Sequence, residues 1–196
     1  MRARSTAVKR RTKETDVAVR LVLDGSGRAK PATGVGFLDH MLTVFASHAH
    51  FDLEVRCRGD LHVDAHHSVE DVGIALGQAL ARALGDKRGI ARFGHAYVCL
   101  DEALARCVVD LSGRPYLVFQ APIRARRVGD LPTELIEDFF RAFSDHGRLN
   151  LHLDLIRGRN AHHIAEALFK STARALAMAV SHDPRVKGVP STKGGL

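Results

Sequence analysis

The chain has 196 residues, 45% of them apolar, and a formal net charge of +7; this is enough for one large domain, or two small fused ones, with a real core. No run approaches the roughly 18 to 20 apolar residues of a membrane span, and the basic start MRARSTAVKRRTKE leads into no apolar stretch of the kind a secretory signal needs. With 6% aromatics and no tryptophan, the positive charge lacks the stacking residues of a single-strand nucleic-acid groove, and three scattered cysteines, Cys57, Cys99 and Cys107, fit a reducing cytoplasm.

Val17, Val19, Leu21 and Leu23 alternate, which predicts a half-buried strand closing on the turn Asp24-Gly-Ser-Gly. Leu38, Met41, Leu42 and Phe45 then recur at helical spacing, with His40 on the polar side. Asp52-Leu-Glu-Val-Arg-Cys57 alternates again, and a long helix follows whose apolar stripe is Val69, Val72, Leu76, Leu80 and Leu84. The same order then repeats. Asp110-Leu-Ser-Gly closes an alternating run, Glu134 to Phe143 reads as a helix, and Asn150 to Leu155 as a strand. A second long helix carries Ile164, Leu168, Thr172, Leu176 and Val180 on one face. The chain therefore reads as two similar halves, 1–89 and 90–196, with pseudo-twofold pairing in one compact unit. The fold class is α+β, with helices packed on one face of each mostly antiparallel sheet.

Both long helices begin with the same chemistry. DAHHSVED, from Asp64, and NAHHIAE, from Asn160, place His-His-x-x-Glu at positions 66 to 70 and 162 to 166, an offset of 96 residues. In each motif the first histidine and the glutamate are four apart on one helix face, within chelating reach. The second histidine is turned away by about 100°. One such motif is explained by helix capping and by carboxylates that suit the helix dipole. Two in register inside a duplication point to metal. Bringing the helix starts together offers one ion His66, Glu70, His162 and Glu166, and a neighbouring ion His67 and His163. His40 and its repeat equivalent at an offset of 98, Asp138, are available to the second ion. Imidazole and carboxylate without thiolate disfavour structural zinc and suit manganese, iron or cobalt. Four protein ligands on a six-coordinate ion leave positions for water or substrate, the mark of a catalytic site. The remaining histidines read as ordinary surface or packing residues, with His62 and His152 in alternating strands.

GVGFLDHML, DAHHSVEDV, ARFG, DEAL, DLSGRPY, NAHHIAEALFKS and the terminal PSTKG resemble the imidazoleglycerol-phosphate dehydratases over nearly the whole chain. The resemblance implies a duplicated fold like the second domain of ribosomal protein S5. It also implies dehydration of imidazole glycerol phosphate to imidazole acetol phosphate in cytoplasmic histidine biosynthesis, with two manganese ions per site. An imidazolate-type state of the substrate bridged by both ions would help expel the adjacent hydroxyl. The assembly implied is a 24-subunit particle built from trimers, with sites between subunits.

Carried over by position, one ion falls to His66, Glu70, His162 and Glu166, and the other to His40, His67 and His163. Many members supply a fourth histidine to the second ion where this chain has Asp138. Glu14 matches an acid that approaches the substrate, and His40, Arg92, Arg114, Lys170, Ser191, Thr192 and Lys193 match the substrate-binding set, chiefly around phosphate. Glu166 or Glu70 is expected to remove the proton and Glu14 to return one. Two other readings suit the residues less well: a dinuclear metallohydrolase of a phosphoester, and a basic RNA-binding module.

Overall fold

The computed structural model describes residues 4–195; residues 1–3 and 196, the outermost of the two expected halves, lie outside them. A first four-stranded sheet is built from β1 (Ser5–Arg11), β2 (Thr15–Val22), β3 (Ala29–Ala32) and β4 (Asp52–Gly59), with α1 (Gly36–Ala49) before β4 and α2 (His66–Leu84) after it. A second sheet uses β5 (Phe93–Leu100), β6 (Ala103–Asp110), β7 (Tyr116–Gln120) and β10 (Asn150–Arg157). The short hairpin of β8 (Arg127–Val128) and β9 (Leu131–Pro132) and the helix α3 (Leu135–Gly147) precede β10, and α4 (Ala161–Val180) follows it.

The strand orders are β1-β2-β4-β3 and β5-β6-β10-β7, and only the last pairing of each sheet is parallel. Alternation decides which face is covered. Val17, Val19 and Leu21 are buried, while Asp16 and Arg20 on the other face are exposed. In β6 the buried set is Ala103, Ala105, Cys107 and Val109. Only helix-covered faces bury apolar side chains at every second position.

α1 and α3 both end on a non-glycine residue in the left-handed region, His50 at φ 58° and Arg148 at φ 52°. Each end is closed by backbone bonds back to the last turn, Phe51 N–H to the Ala46 carbonyl at 3.0 Å and Leu149 N–H to the Ser144 carbonyl at 3.2 Å. These positions are 98 residues apart, so the helix-to-strand corners repeat as the helices do.

The helices pair across the halves, α1 with α4 and α2 with α3. Two glycines in α2 permit the second pairing. A Cβ at Gly73 would lie 2.7 Å from the Phe139 carbonyl oxygen, and one at Gly77 would lie 2.6 Å from that of Phe143. Between the layers, Phe139, Phe140, Phe143 and Phe169 form one aromatic cluster with centroids 4.7 to 6.4 Å apart. The open face of the second sheet is apolar in places: Phe93, Tyr97 and Tyr116 are each more than half exposed. No helix among the described residues is long and apolar enough to cross a membrane.

Candidate metal centre and active site

Side chains just ahead of both long helices bond their first backbone N–H groups, Asn160 as the N-cap of α4 and Asp64 one residue before the N-cap position of α2. Asn160 Oδ1 accepts the N–H groups of His162 at 2.9 Å and His163 at 3.4 Å, and Asp64 Oδ1 accepts that of His66 at 2.7 Å.

At the α4 start, three donors converge. Glu166 Oε2 lies 3.1 Å from His162 Nε2 and 3.1 Å from His40 Nε2, a pairing that joins α1 to α4. One ligand atom from each of the three residues falls within 4.8 Å of the others, a spacing that fits a single ion. The Phe37 ring stands edge-on to both imidazoles, with centroids at 5.1 Å from His162 and 6.1 Å from His40. Lys170 Nζ sits 2.6 Å from Glu166 Oε1. Burial opposes ionisation of Glu166, but Lys170 and the two imidazoles outweigh it and hold the carboxyl at about 2.

At the α2 start the corresponding residues stand farther apart and do not converge on one point. His66 Nδ1 is 3.9 Å from Asp138 Oδ2, and His66 Nε2 is 4.0 Å from Glu70 Oε2. Asp138 on α3 and Glu70 thus flank His66 at its two ring nitrogens, whereas His40 and His162 meet at one oxygen of Glu166.

The second histidine of each motif turns away, and each is gripped at Nδ1 by a carboxylate. Asp60 lies 3.0 Å from His67 Nδ1, and Glu102 lies 2.7 Å from His163 Nδ1. These bonds raise both imidazole pKa values and fix the ring orientation; His163 Nε2 lies 3.8 Å from Asp101. Glu102 also accepts the N–H groups of Arg159 at 3.0 Å and Asn160 at 2.7 Å. The His163 bond, joined by those two N–H groups, holds its carboxyl at about 2.

Within one chain the two helix starts do not meet; the resemblance implied that their pairing forms between subunits. The sequence reading joined the two helix starts to each other and set His40 beside His67 and His163. Here His40 completes the His162–Glu166 cluster, and Asp138 lies beside His66. The reason is helix pairing: the neighbour of α4 is α1 and the neighbour of α2 is α3, so each motif meets the preceding helix of the other half.

The residues expected to face substrate are spread more widely. Glu14 lies in the exposed turn between β1 and β2, close enough to His67 for its charge to raise that imidazole's pKa. Arg92, at φ 70°, pairs with Asp110 at 2.7 Å and donates to the Pro190 carbonyl at 2.8 Å, tying down the tail that carries Ser191, Thr192 and Lys193. Arg114 is exposed at the end of a turn closed through Ser112. Among the described residues, no hydrogen bond or ion pair joins Arg92, Arg114 or the tail to the histidine clusters. An open groove of about 1090 Å³ is lined by His66 and Asp138 together with Arg124, Arg126 and Arg141.

Sequence reasoning missed Asp60, Glu102 and Asp130. Glu102 lay within the quoted motif DEAL, so a signal existed. Asp60 grips His67, and Asp130 accepts the Gly36 and Phe37 N–H groups at the α1 start, contacts that no local pattern announces. His62 falls in the turn at 61–63, outside the strand expected for it.

A sequence profile for imidazoleglycerol-phosphate dehydratase matches residues 33–176. The chain is 57% identical over 195 residues to an imidazoleglycerol-phosphate dehydratase of Gluconacetobacter diazotrophicus, covering 99% of this chain and 98% of that one. The corresponding protein of Acidithiobacillus ferrooxidans is 57% identical over 197 residues, covering 100% and 99%. Among solved structures, the dehydratase of Staphylococcus aureus superposes with a TM-score of 0.83 at 42% identity, over 91% of this chain and 99% of that one. The Pyrococcus furiosus structure gives 0.83 at 35% identity, over 96% and 100%.

Proposed function

The chain belongs to the imidazoleglycerol-phosphate dehydratase family, and on that premise we propose how its residues perform the reaction. It is a hydro-lyase of histidine biosynthesis. The substrate is imidazole glycerol phosphate and the product imidazole acetol phosphate. Hydroxide leaves the carbon attached to the ring, a proton leaves the next carbon, and the resulting enol becomes the ketone when the ring-bearing carbon is reprotonated.

The observation that carries the reading is the convergence of His40, His162 and Glu166 with no thiolate, beside the second motif, where His66 has Asp138 at Nδ1 and Glu70 at Nε2. Their donors fit two divalent ions of the manganese type. When bound, such ions would supply Lewis-acid withdrawal of electron density from the substrate's imidazole, making its hydroxyl easier to expel. The cluster at the α4 start holds three donors from one chain and that at the α2 start is looser, while His67 and His163 turn their Nε2 atoms elsewhere, that of His163 lying 3.8 Å from the exposed Asp101. A neighbouring copy would supply the missing imidazole to each cluster, so the active site lies between subunits of a homo-oligomer. Exposed Phe93, Tyr97 and Tyr116 suit such a contact, and a 24-subunit particle built from trimers is the assembly we propose.

Of the two candidate bases, Glu70 is the freer. Its side chain is 48% exposed and touches His66 at 4.0 Å, whereas Glu166 is engaged by Lys170, His40 and His162. Glu14 returns the proton to the ring-bearing carbon. Arg92, Arg114, Lys170 and the Ser191-Thr192-Lys193 segment hold the phosphate, as planar forks and point charges do. The halves 1–89 and 90–196 are read as a duplication, supported by matching sheet orders. Three free cysteines suit the cytoplasm.

Incubating manganese-loaded protein with imidazole glycerol phosphate should yield the ketone, and a chelator should abolish it. Phosphate release in place of the ketone would overturn the assignment in favour of a hydrolase.

A further inference from the structure

The turn carrying Glu14 is held by a chain of hydroxyls that ends on a buried carboxylate beside a candidate metal ligand. Asp71 follows Glu70 in α2 and is 5% exposed. Its oxygens are committed to the first two strands: Oδ1 accepts from Arg10 Nε at 3.0 Å, and Oδ2 accepts the Thr15 hydroxyl. Thr15 Oγ1 lies 3.2 Å from Thr12 Oγ1. Thr12 Oγ1 in turn accepts the backbone N–H of Glu14 at 3.1 Å and that of Thr15 at 3.0 Å. The hydrogens then have one consistent order. Thr15 spends its proton on Asp71, so Thr12 must donate to Thr15, and its lone pairs are left for the two amides.

The other half secures its hairpin differently. The position equivalent to Asp71, 96 residues on, is Ala167, which is fully buried. There the β5–β6 tip is tied to the α4 start by Glu102 itself, through His163 and two backbone amides. That carboxylate is consumed by its structural bonds. Among the described residues, no hydrogen bond or ion pair engages the Glu14 carboxylate. The first half thus fixes the main chain of its tip through Thr12 and leaves the acid side chain unbound. A fixed backbone under a free carboxyl is what delivery of a proton to one carbon requires.

We propose that Thr12, backed by Thr15 and Asp71, is a positioning residue that holds Glu14 in register with the helix start bearing His66, His67 and Glu70. This rests on the reading of Glu14 as the proton donor. The relay couples the two directly, because Asp71 shares the first turns of α2 with the candidate ligands.

The test is a cycle of Thr12→Val, Glu14→Gln and the double variant, with Thr12→Ser and Thr12→Ala beside them, each measured for kcat, KM, bound manganese and thermal midpoint. Thr12→Val and Thr12→Ala should lower kcat about 10- to 100-fold, with KM and metal content unchanged. Thr12→Ser, which restores the hydroxyl, should recover most of the loss. The double variant should be no slower than Glu14→Gln, because Thr12 acts only through Glu14. Losses that multiply in the double variant, or a slow Thr12→Ser, would overturn the proposal. If Glu14→Gln is slow and Thr12→Val is not, the positioning role alone fails. Full activity of Glu14→Gln removes the reading of Glu14 and this inference with it.

Discussion

Replacing Asp130 with alanine removes the cap of α1 without touching any candidate ligand. The residue before the helix, Val35, offers no side-chain cap. Asp130 fills that role from the β8–β9 turn, accepting the Gly36 N–H at 2.5 Å and the Phe37 N–H at 2.9 Å. Two charge-assisted bonds at the positive end of a helix place its loss in the upper part of the usual range, about 1–2 kcal/mol. The freed amides regain water at this exposed turn, which limits the cost. For a chain of this size the midpoint should fall by about 2–8 °C.

Burial works against the Asp130 charge, but the two amides hold its carboxyl below the usual carboxylate range. A depressed folded value means the stabilisation is complete above the unfolded pKa of about 3.9. It is lost as pH falls through the lower folded value. The difference between wild type and Asp130→Ala should therefore be full at neutral pH and shrink in strong acid. Thermal unfolding of metal-free protein across pH gives the answer. Because Phe37 sits against His40 and His162, manganese affinity by calorimetry should also fall several-fold. Midpoints within 1 °C of each other at neutral pH (about 7), where the cap is fully charged, would refute this account of the α1 start.

Asp138→Ala should remove one class of bound manganese and spare the tighter class at His40–His162–Glu166, as read by metal titration; loss of both classes together would contradict two separable clusters. Asp138→His should tighten the weaker class, since imidazole binds such ions well. Gly77→Ala would push α2 from α3 against the Phe143 carbonyl. It should cost about 1–3 kcal/mol of stability in denaturant unfolding and weaken the Asp138-side class more than the other. Truncation after Val189 removes the segment that Arg92 anchors through Pro190. It should raise the substrate KM with metal content unchanged, and an unchanged KM would argue against a phosphate role for the tail.

Much of this protein was legible in its sequence because the signals are periodic and local. Alternation at Val17, Val19 and Leu21 fixed a strand face, and the stripe Val69, Val72, Leu76 and Leu80 fixed a helix face; all seven are buried. The motifs DAHHSVED and NAHHIAE, with N–H acceptors at Asp64 and Asn160, determined where two helices start and which atoms they offer. The doubling made those atoms a plausible metal centre. Partnership was another matter. That His40 joins His162 and Glu166, while Asp138 lies beside His66, depends on α1 lying along α4 and α2 along α3, and close approach at Gly73 and Gly77 permits the second pairing. The grips of Asp60 on His67, Glu102 on His163 and Asp130 on the α1 start span 7, 61 and 93 to 94 residues. Spacing along a helix determines which side chains share a face, but only the packing of one helix on another brings two faces within the few ångströms at which a proton or a metal is shared.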